Sequence, residues 1–430
     1  MLTGSRLAAV TILVVATSSL AAALVAARKR RRPNEAGGAQ YSCSGWLLKL
    51  CSSINSSGRG SATCQPLRDI GGYEGLIGNT PMVKLQSLSA AAGCEILVKV
   101  EYLNPGGTSK DRIAASMIEE AEASGKLTKG GTVVEGTSGS TGICLASLCR
   151  AKGYGCVVVM PDDQASEKVE LLRTFGAEVI QVKTASIANP GHYINMAARL
   201  AKERPGCVFM DQFETEANMR AHLAHTGPEI WEQTGGRLDA FVMGAGTGGC
   251  LAGVSLFLRG KKSPAKVYLV DPPGSALFNR VRYGVCYSPQ MSERDVRKHR
   301  YDTIAEGIGN DHVTGNFGKA ILDDAFRVSD QEAVYMAHYL LRHEGLFVGC
   351  SSAMNCVGTV LAARRLRPAQ EGSKVVKVVK VVKVVTVLCD SGSRGVSRFW
   401  NREFIEARGL KWPLPGDETL EKLDFIEARP

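Results

Sequence analysis

Short apolar runs alternate with longer helical patterns over most of this chain of 430 residues. The runs are rich in valine and isoleucine, which is typical of strands that are buried on both faces. The helical patterns, such as residues 111–127, are long enough to connect parallel strands. The apolar runs are EILVKV, GTVVEG, GCVVVMP, AEVIQV, DAFVMG and KVYLVD. We therefore predict an α/β fold with a mostly parallel sheet, whose ligand-binding loops follow the carboxyl ends of the strands.

Two glycine-rich loops each lie between a strand-like run and a helical pattern. The loop EGTSGSTG, residues 135–142, offers hydroxyl and backbone N–H groups that suit a small anion such as a carboxylate. In GAGTGG, Gly244, Gly246 and Gly249 have the GxGxxG spacing, and Asp271 ends the next apolar run. That is the dinucleotide-binding fingerprint, so an NAD-binding oxidoreductase is one hypothesis. Backbone N–H groups at a helix start bind phosphates in general, and a plain strand-to-helix turn is the structural alternative.

A lysine follows a third flexible loop, NPGGTSKDR, at residues 104–112. Glycine lets the backbone come close to a ligand, and the charged residues behind it indicate a helix start with Thr108 or Ser109 as N-cap. A capped helix alone would account for this stretch. Two anion-binding loops together with Lys110 form a joint pattern that NAD binding does not explain.

The N-terminal region contains an uncharged apolar segment that begins at Leu7 and ends at Ala27. As a helix, its 21 residues would span about 31 Å, close to the ~30 Å hydrocarbon core of a bilayer. Five basic residues follow it and only Arg6 precedes it closely, so the positive-inside rule leaves the C-terminal part in the cytosol. We predict a membrane anchor, with a cleaved secretory peptide and a matrix-targeting presequence as the alternatives.

The net charge of +10 is concentrated in the first 70 residues, which carry +7 of it. The basic charge therefore belongs to the tail, and we expect no nucleic-acid partner. The thirteen cysteines form no CxxC motif, so we expect reduced thiols. His222 and His225 are one helical turn apart, but no further ligand is near them in sequence, and we expect no metal site.

Two segments have simple compositions. Residues 33–70 are rich in glycine, serine and glutamine and are predicted to be a flexible tether. Residues 374–385 repeat KVV, a period that fits neither a strand nor a helix. Valine favours strands, so we interpret the repeat as an extension of the strand that follows it. We assign it no function.

Seven motifs occur in the order seen in the fold-type-II pyridoxal-phosphate enzymes. They are GNTP, NPGGTSKDR, TSGSTG, DQFE with TGPEIW, GAGTGG, EGIG and GCSSA. From about residue 73 to 405 the chain resembles the cysteine synthase and cystathionine β-synthase family. The resemblance implies two three-layer α/β/α domains with mostly parallel sheets, like tryptophan synthase β, behind a single transmembrane helix. The implied limits are 1–32 for the anchor, 33–70 for the tether, 71–225 and 226–405 for the domains, and 406–430 for a tail.

The resemblance also implies a role for individual residues. Lys110 would form a Schiff base with pyridoxal 5'-phosphate and then remove the α-proton of the substrate. Ser351 would contact the pyridine nitrogen, and Ser140 the ring hydroxyl. The cofactor phosphate would be held by Gly246, Thr247, Gly248, Gly249 and Cys250. The amino-acid carboxylate would be held by Thr137, Ser138, Gly139 and Thr141, with Gln212 beside them.

The implied activity is that of a cysteine synthase, an O-acetylserine sulfhydrylase in which sulfide replaces acetate to give L-cysteine. Three residues depart from the usual pattern: Ser140 stands for asparagine, Cys250 stands for threonine, and Glu306 resembles cystathionine β-synthase. Two alternatives therefore stay open, namely condensation of serine with homocysteine and an inactive cofactor-binding scaffold. The chain after RFWNREFI is too short for the regulatory modules common in cystathionine β-synthases.

The resemblance finally implies a location and an assembly. Members with an N-terminal anchor resemble cysteine synthases of the mitochondrial outer membrane, so we expect the core to face the cytosol there. The partners would be an amino-acid substrate, sulfide and the membrane. Two-fold dimers are the commonest oligomers of soluble enzymes, and the family is similar in this respect, so we expect a homodimer.

Overall fold

The computed structural model describes residues 71–185, 187–289, 303–367 and 381–428. Strands and helices alternate through these ranges, as the sequence predicts. The strands are β1 (Met82–Lys84), β2 (Glu95–Val100), β3 (Thr132–Gly136), β4 (Gly155–Pro161), β5 (Glu178–Val182), β6 (Cys207–Phe209), β7 (Ala240–Gly244), β8 (Lys266–Asp271), β9 (Asp324–Arg327) and β10 (Lys383–Leu388).

The α-helices of the same ranges lie mostly between consecutive strands, and their bounds are as follows. They are α1 (Gln86–Ala92), α2 (Lys110–Ala123), α3 (Ser140–Lys152), α4 (Ser166–Thr174), α5 (Tyr193–Glu203), α6 (Glu216–Ala221), α7 (Gly227–Gln233), α8 (Gly249–Gly260), α9 (Leu277–Tyr283), α10 (Asp330–Glu344), α11 (Cys350–Leu366) and α12 (Arg402–Glu406).

Within the ranges that the structure describes, the strands form two sheets. One has six described strands in the order β1-β2-β10-β7-β8-β9, and the other has four in the order β5-β4-β3-β6. All pairs are parallel except β1 with β2. The predicted α/β fold with mostly parallel sheets is confirmed.

Both sheets are covered by helices on both faces. In the six-stranded sheet, Val242 and Val270 pack with α10 and α11, whereas Phe241 and Leu269 pack with α7, α8 and α9. In the four-stranded sheet, Val133 and Val158 pack with α2 and α3, and the opposite face packs with α5. Alternate residues of a strand point to opposite faces, so valine-rich runs are buried from both sides. Each sheet is thus the middle layer of three.

The sheets do not follow the predicted boundary between residues 225 and 226. β1 and β2 lie early in the chain, but they join the six-stranded sheet, because β2 pairs with β10 over its whole length. No strand preference reveals such a long-range pairing. The limits 71–225 and 226–405 stay a prediction, and a division by sheets would place residues 82–100 in the second unit.

Several predicted segments lie outside the described residues, namely the apolar segment 7–27, the tether 33–70 and most of the KVV repeat. Within the described part of the chain, no helix is both long and apolar enough to span a membrane. The end of the repeat is described, and its residues 383–385 begin β10.

Candidate active site

One large cleft collects the predicted site residues. The space between its walls, including the part open to solvent, is about 1550 Å³. Gly139 and Gly249 belong to its loops without lining it. The predicted residues that line it are Lys110, Thr137, Ser138, Ser140, Thr141, Gln212, Gly246, Thr247, Gly248, Cys250 and Ser351. The loops that carry most of them follow β3 and β7, at the carboxyl ends of parallel strands.

Lys110 is the first residue of α2, and local hydrogen bonds fix the loop before it. The Thr108 hydroxyl accepts a hydrogen bond from the backbone N–H of Lys110 at 2.8 Å. Ser109 occupies the N-cap position, and its side chain makes no capping hydrogen bond. The Asp111 carboxylate accepts from the backbone N–H groups of Gly106, at 2.8 Å, and Thr108, at 3.2 Å. The loop is therefore folded back onto the helix start, which positions the lysine at the cleft.

Behind Lys110, the same helix is held by a buried network of four charged side chains. Arg112 makes two-pronged contacts with Glu101 and with Glu229, at 2.7–2.8 Å. Lys99 lies 2.6 Å from Glu229 and donates to the carbonyl of Thr80 at 2.9 Å. Burial raises the pKa of Glu229, but hydrogen bonds and charges of Arg112 and Lys99 outweigh it and lower that pKa to about 2. The network joins the GNTP, NPGGTSKDR and TGPEIW motifs.

The carboxylate loop, residues 137–141, ends at the start of α3. Gln212 holds the start of this loop through hydrogen bonds. Its Nε2 donates to the Gly136 carbonyl at 2.9 Å and to Glu135 at 3.1 Å. Its Oε1 accepts from the Thr141 hydroxyl at 2.6 Å. The polar atoms of Gln212 are thus committed to the protein. Two backbone N–H groups of the loop are committed as well, since that of Thr137 donates to the Val159 carbonyl and that of Gly139 to the Thr137 hydroxyl. The groups left for a substrate carboxylate are the other backbone N–H groups of the loop and the hydroxyl of Ser138, which lines the cleft.

The phosphate loop, residues 246–250, requires glycine at two positions. A Cβ at Gly246 would lie 2.1 Å from the carbonyl oxygen of Gly307. Gly248 has a φ of +81°, and its Cβ would lie 2.5 Å from the Cβ of Phe317. The loop leads into α8, whose first N–H groups have no partners within the helix. The burial of Cys250 raises the pKa of its thiol, so it is a neutral, weak donor at this position.

Ser351 lies in the first turn of α11, at the third side of the cleft. Cys389 follows β10 and also lines the cleft, and burial raises the pKa of its thiol to about 11. Asn355, one turn after Ser351, accepts from the Gly244 backbone N–H at 2.7 Å and donates to the Val387 carbonyl at 2.8 Å. Asn355 thus holds the start of α11 between the ends of β7 and β10.

The cleft mouth carries charges that come from both sheets. Glu306, in the EGIG motif, pairs with Lys168 of α4, and its other oxygen lies 2.9 Å from Arg398. The stem of Lys168 packs beside the carboxylate loop, since a Cβ at Gly139 would lie 2.8 Å from its Cδ. Glu306 is therefore hydrogen-bonded through Oε2, whereas its Oε1 lies close to Arg398 Nε without a hydrogen bond between them.

The dinucleotide hypothesis is wrong. Asp271, which would have to bind a ribose, is fully buried and does not line the cleft. Its Oδ2 accepts from the Phe278 backbone N–H at 2.7 Å, and burial raises its pKa to about 7. The spacing of an acid after GxGxxG does not report whether that acid reaches the ligand.

The two histidines of the HLAH stretch lie in a π-helix, His222–Thr226. The Nδ1 atom of His222 pairs with the Thr226 hydroxyl at 2.9 Å. Among the described residues, no three histidine, cysteine or acidic side chains are grouped as metal ligands.

The cleft fits pyridoxal phosphate by its own chemistry. The phosphate loop packs closely against neighbouring parts of the protein. A side chain at residue 246 would collide with the backbone of Gly307, and one at residue 248 would collide with Phe317. The loop also offers the hydroxyl of Thr247 and helix N–H groups, which bind phosphate well. Lys110 and the hydroxyl-bearing Ser351 line the same cleft. The cofactor's phosphate would thus find the phosphate loop, its aldehyde carbon would find the lysine, and its ring nitrogen would find the Ser351 hydroxyl.

The comparisons with known proteins agree. The family model described as pyridoxal-phosphate dependent enzyme matches residues 73–381, more than half of the chain. The chain belongs to this family. Pyridoxal phosphate is therefore its cofactor.

The chain is similar to cysteine synthases, to a cystathionine beta-synthase and to a solved synthase structure. Cysteine synthase 2 of Schizosaccharomyces pombe is 45% identical over 370 residues, covering 84% of this chain and 89% of that protein. The putative mitochondrial cysteine synthase of Saccharomyces cerevisiae is 46% identical over 360 residues, covering 81% and 88%. Cystathionine beta-synthase of Mus musculus is 37% identical over 337 residues, covering 78% and 56%. The crystal structure of O-ureido-L-serine synthase is 31% identical with a TM-score of 0.66, covering 78% and 95%.

Sequence reasoning missed several residues of this pyridoxal-phosphate site. Asn355 and Asn218 are fully buried and hold two of its loops in place, and Lys168 and Cys389 line the cleft. None of the four lies in a stretch whose spacing signals chemistry. The one hint in the sequence is that Lys168 follows a predicted strand within ten residues, where ligand-binding loops are expected.

Proposed function

We propose that the chain is a cysteine synthase that replaces the acetate of O-acetylserine with sulfide to give L-cysteine. The observation that carries the proposal is the meeting of Lys110, the carboxylate loop and the phosphate loop in one cleft. The cysteine synthase relatives, at 45% and 46% identity over more than four fifths of this chain, support it.

When bound, pyridoxal phosphate supplies an aldehyde that condenses with amines and a ring that accepts the electron pair left by a departing α-proton. Lys110 Nζ would bind the aldehyde carbon in the resting enzyme, and once the substrate amine has taken its place there, the freed Nζ would accept the α-proton. The N–H groups of residues 138, 140 and 141 and the Ser138 hydroxyl would hold the substrate carboxylate, which orients the Cα–H bond toward the lysine. Ser351, a neutral hydroxyl, would face the ring nitrogen. A neutral partner there favours β-elimination over chemistry that needs a long-lived carbanion.

The proposal is tested with purified holoenzyme, O-acetylserine and sulfide. We expect L-cysteine and acetate in equal amounts. Protein that binds the cofactor yet releases neither acetate nor cysteine would contradict the proposal and would favour the inactive scaffold. Variants Ser140→Asn and Cys250→Thr, which restore the family's usual residues, would then show whether those two departures cause the inactivity.

Condensation of serine with homocysteine is the second candidate. Glu306 at the cleft mouth favours it, together with the similarity to the mouse cystathionine beta-synthase. Competition assays with both donors and both acceptors present separate the two reactions. Cystathionine as the main product would overturn the first proposal in favour of the second.

We also propose that residues 7–27 anchor the protein in the mitochondrial outer membrane with its core in the cytosol. The uncharged segment of bilayer length and the yeast relative named as a putative mitochondrial cysteine synthase support this. On intact mitochondria, added protease should remove the core and leave a short carbonate-resistant fragment. A core protected until the outer membrane is ruptured would indicate import instead.

We propose a homodimer as the assembly, on the general frequency of two-fold dimers. Sedimentation equilibrium of protein lacking residues 1–32 should give twice the chain mass. A single-chain mass at micromolar concentration would contradict this.

A further inference from the structure

Asn218 lies between the two anion-binding loops and is fully buried in α6. Its Nδ2 donates to the backbone carbonyl of Gln212 at 2.8 Å and to the hydroxyl oxygen of Thr247 at 2.9 Å. Gln212 in turn accepts from Thr141. A continuous hydrogen-bonded path therefore runs from the carboxylate loop through Gln212 and Asn218 to the phosphate loop.

The orientation of the Asn218 amide is fixed by its neighbours. A backbone carbonyl can only accept, so the amide nitrogen must face Gln212. The second N–H of the same nitrogen then points at Thr247. The amide oxygen lies against the phosphate loop, since a Cβ at Gly249 would be 1.9 Å from it, and it has no hydrogen-bond partner in the described part of the chain.

This orientation decides what the Thr247 hydroxyl can do. Its oxygen accepts from Asn218 at 2.9 Å and from the backbone N–H of Gly249 at 3.4 Å. A hydroxyl has one proton and two acceptor sites, and both sites are taken. The proton must therefore be donated elsewhere, and Thr247 lines the cleft. Thr247 is presented to the cleft as a donor, which suits an anion.

We propose that Asn218 is a positioning residue that fixes Thr247 as a hydrogen-bond donor to the cofactor phosphate. Asn218 does not touch the reacting atoms and acts through Thr247. The inference rests on the phosphate-binding role in the proposed function, and it is independent of which donor and acceptor the enzyme uses.

The test compares Asn218→Asp with the matched control Asn316→Asp. The aspartate has the shape of asparagine but presents only acceptors or a charge to Gln212 and Thr247. Asn316 is equally buried, and its Nδ2 also donates to the Gln212 carbonyl, at 3.2 Å. Its described hydrogen bonds do not include Thr247, so it reports the general cost of a buried aspartate in the same layer.

The readout is the dissociation constant of pyridoxal phosphate and of pyridoxal, which lacks the phosphate, measured by absorbance titration of cofactor-free protein. We expect Asn218→Asp to raise the dissociation constant of pyridoxal phosphate by about 10–100-fold more than that of pyridoxal. This is the range for the loss of a hydrogen bond to a charged group. Asn316→Asp should weaken both ligands by the same factor. Equal factors for Asn218→Asp, or no weakening, would overturn the inference.

A second variant keeps the test decisive if Asn218→Asp does not fold. Thr247→Val should by itself produce the phosphate-specific loss, and Asn218→Ser in that background should add no further phosphate-specific loss. An additive effect of the two substitutions would show that Asn218 acts independently of Thr247 and would overturn the inference. Both outcomes are binding measurements, so they remain interpretable if the enzyme makes no cysteine.

Discussion

Two cations lie two residues apart at the start of α2, and the protein treats them in opposite ways. Lys110 lines the open cleft, where the nearby loops offer hydroxyl and N–H groups. Arg112 is buried on the other side of the helix, between Glu101 and Glu229. One region therefore leaves a cation accessible, and the other surrounds a cation with two anions.

The difference follows from the chemistry of the two side chains. A guanidinium stays charged and binds carboxylates through two parallel hydrogen bonds, which suits a buried structural role. An amine can lose its proton and attack a carbonyl carbon, but only where no carboxylate holds it. The charged network gives the helix start its position, and the neutral loops leave the lysine able to react.

The largest expected effect is on stability, from Arg112→Leu. Removal of one partner leaves the buried Glu101 and the partly buried Glu229 without their arginine, so we expect a loss of about 3–5 kcal/mol in the free energy of unfolding. Urea unfolding of the cofactor-free protein measures it. Lys110→Leu is the matched control and should change the stability by less than about 1 kcal/mol. Equal losses for the two variants would remove the contrast between the regions.

The next effect is a pH dependence carried by Glu229. Its pKa is about 2 when folded and 4.5 in its ordinary state, so the folded protein favours the charged form. The stabilisation is complete above pH 4.5 and is lost as the pH falls toward 2, with a size of about 3 kcal/mol. The stability difference between wild type and Glu229→Gln should therefore shrink on acidification. A difference that stays constant from pH 6 to pH 3 would contradict the network.

The smallest effect concerns the cleft side. Ser138→Ala removes one neutral hydroxyl from the carboxylate loop, so we expect the KM for O-acetylserine to rise by up to about 10-fold, the worth of one hydrogen bond. The unfolding curve should not move, because the Ser138 side chain lines the cleft. Steady-state kinetics and urea unfolding of the same preparation check both parts. A shifted unfolding curve with an unchanged KM would show that Ser138 stabilises the fold and does not bind the substrate.

The sequence predicted the fold class and the loops because their signals are local. Valine-rich runs, glycine pairs and the spacing of NPGGTSKDR each depend on neighbouring residues, and eleven of the thirteen predicted site residues line one cleft. The family resemblance supplied the identity of the cofactor, which the physical patterns alone left open between phosphate ligands.

The remaining features depend on contacts between distant parts of the chain. Pairing of β2 with β10 joins residues almost 290 positions apart, and Asn355 bridges β7 and β10 from α11, two residues beyond the GCSSA motif. Asp271 had the right spacing for a ribose ligand, but its burial removes it from the cleft. Distance in sequence carries no information about burial or about which loops meet.

Lys110 is the residue on which the proposed chemistry depends, because it should bind the cofactor. Lys168 also lines the cleft, but it forms an ion pair with Glu306. Lys168 is therefore the lysine with which the reactivity of Lys110 is compared. The most direct measurement is borohydride reduction of the holoenzyme followed by peptide mass mapping. We expect the reduced cofactor on the peptide that contains Lys110, and no covalent cofactor in Lys110→Ala. Cofactor attached to Lys168, or to no lysine, would contradict the assignment of Lys110.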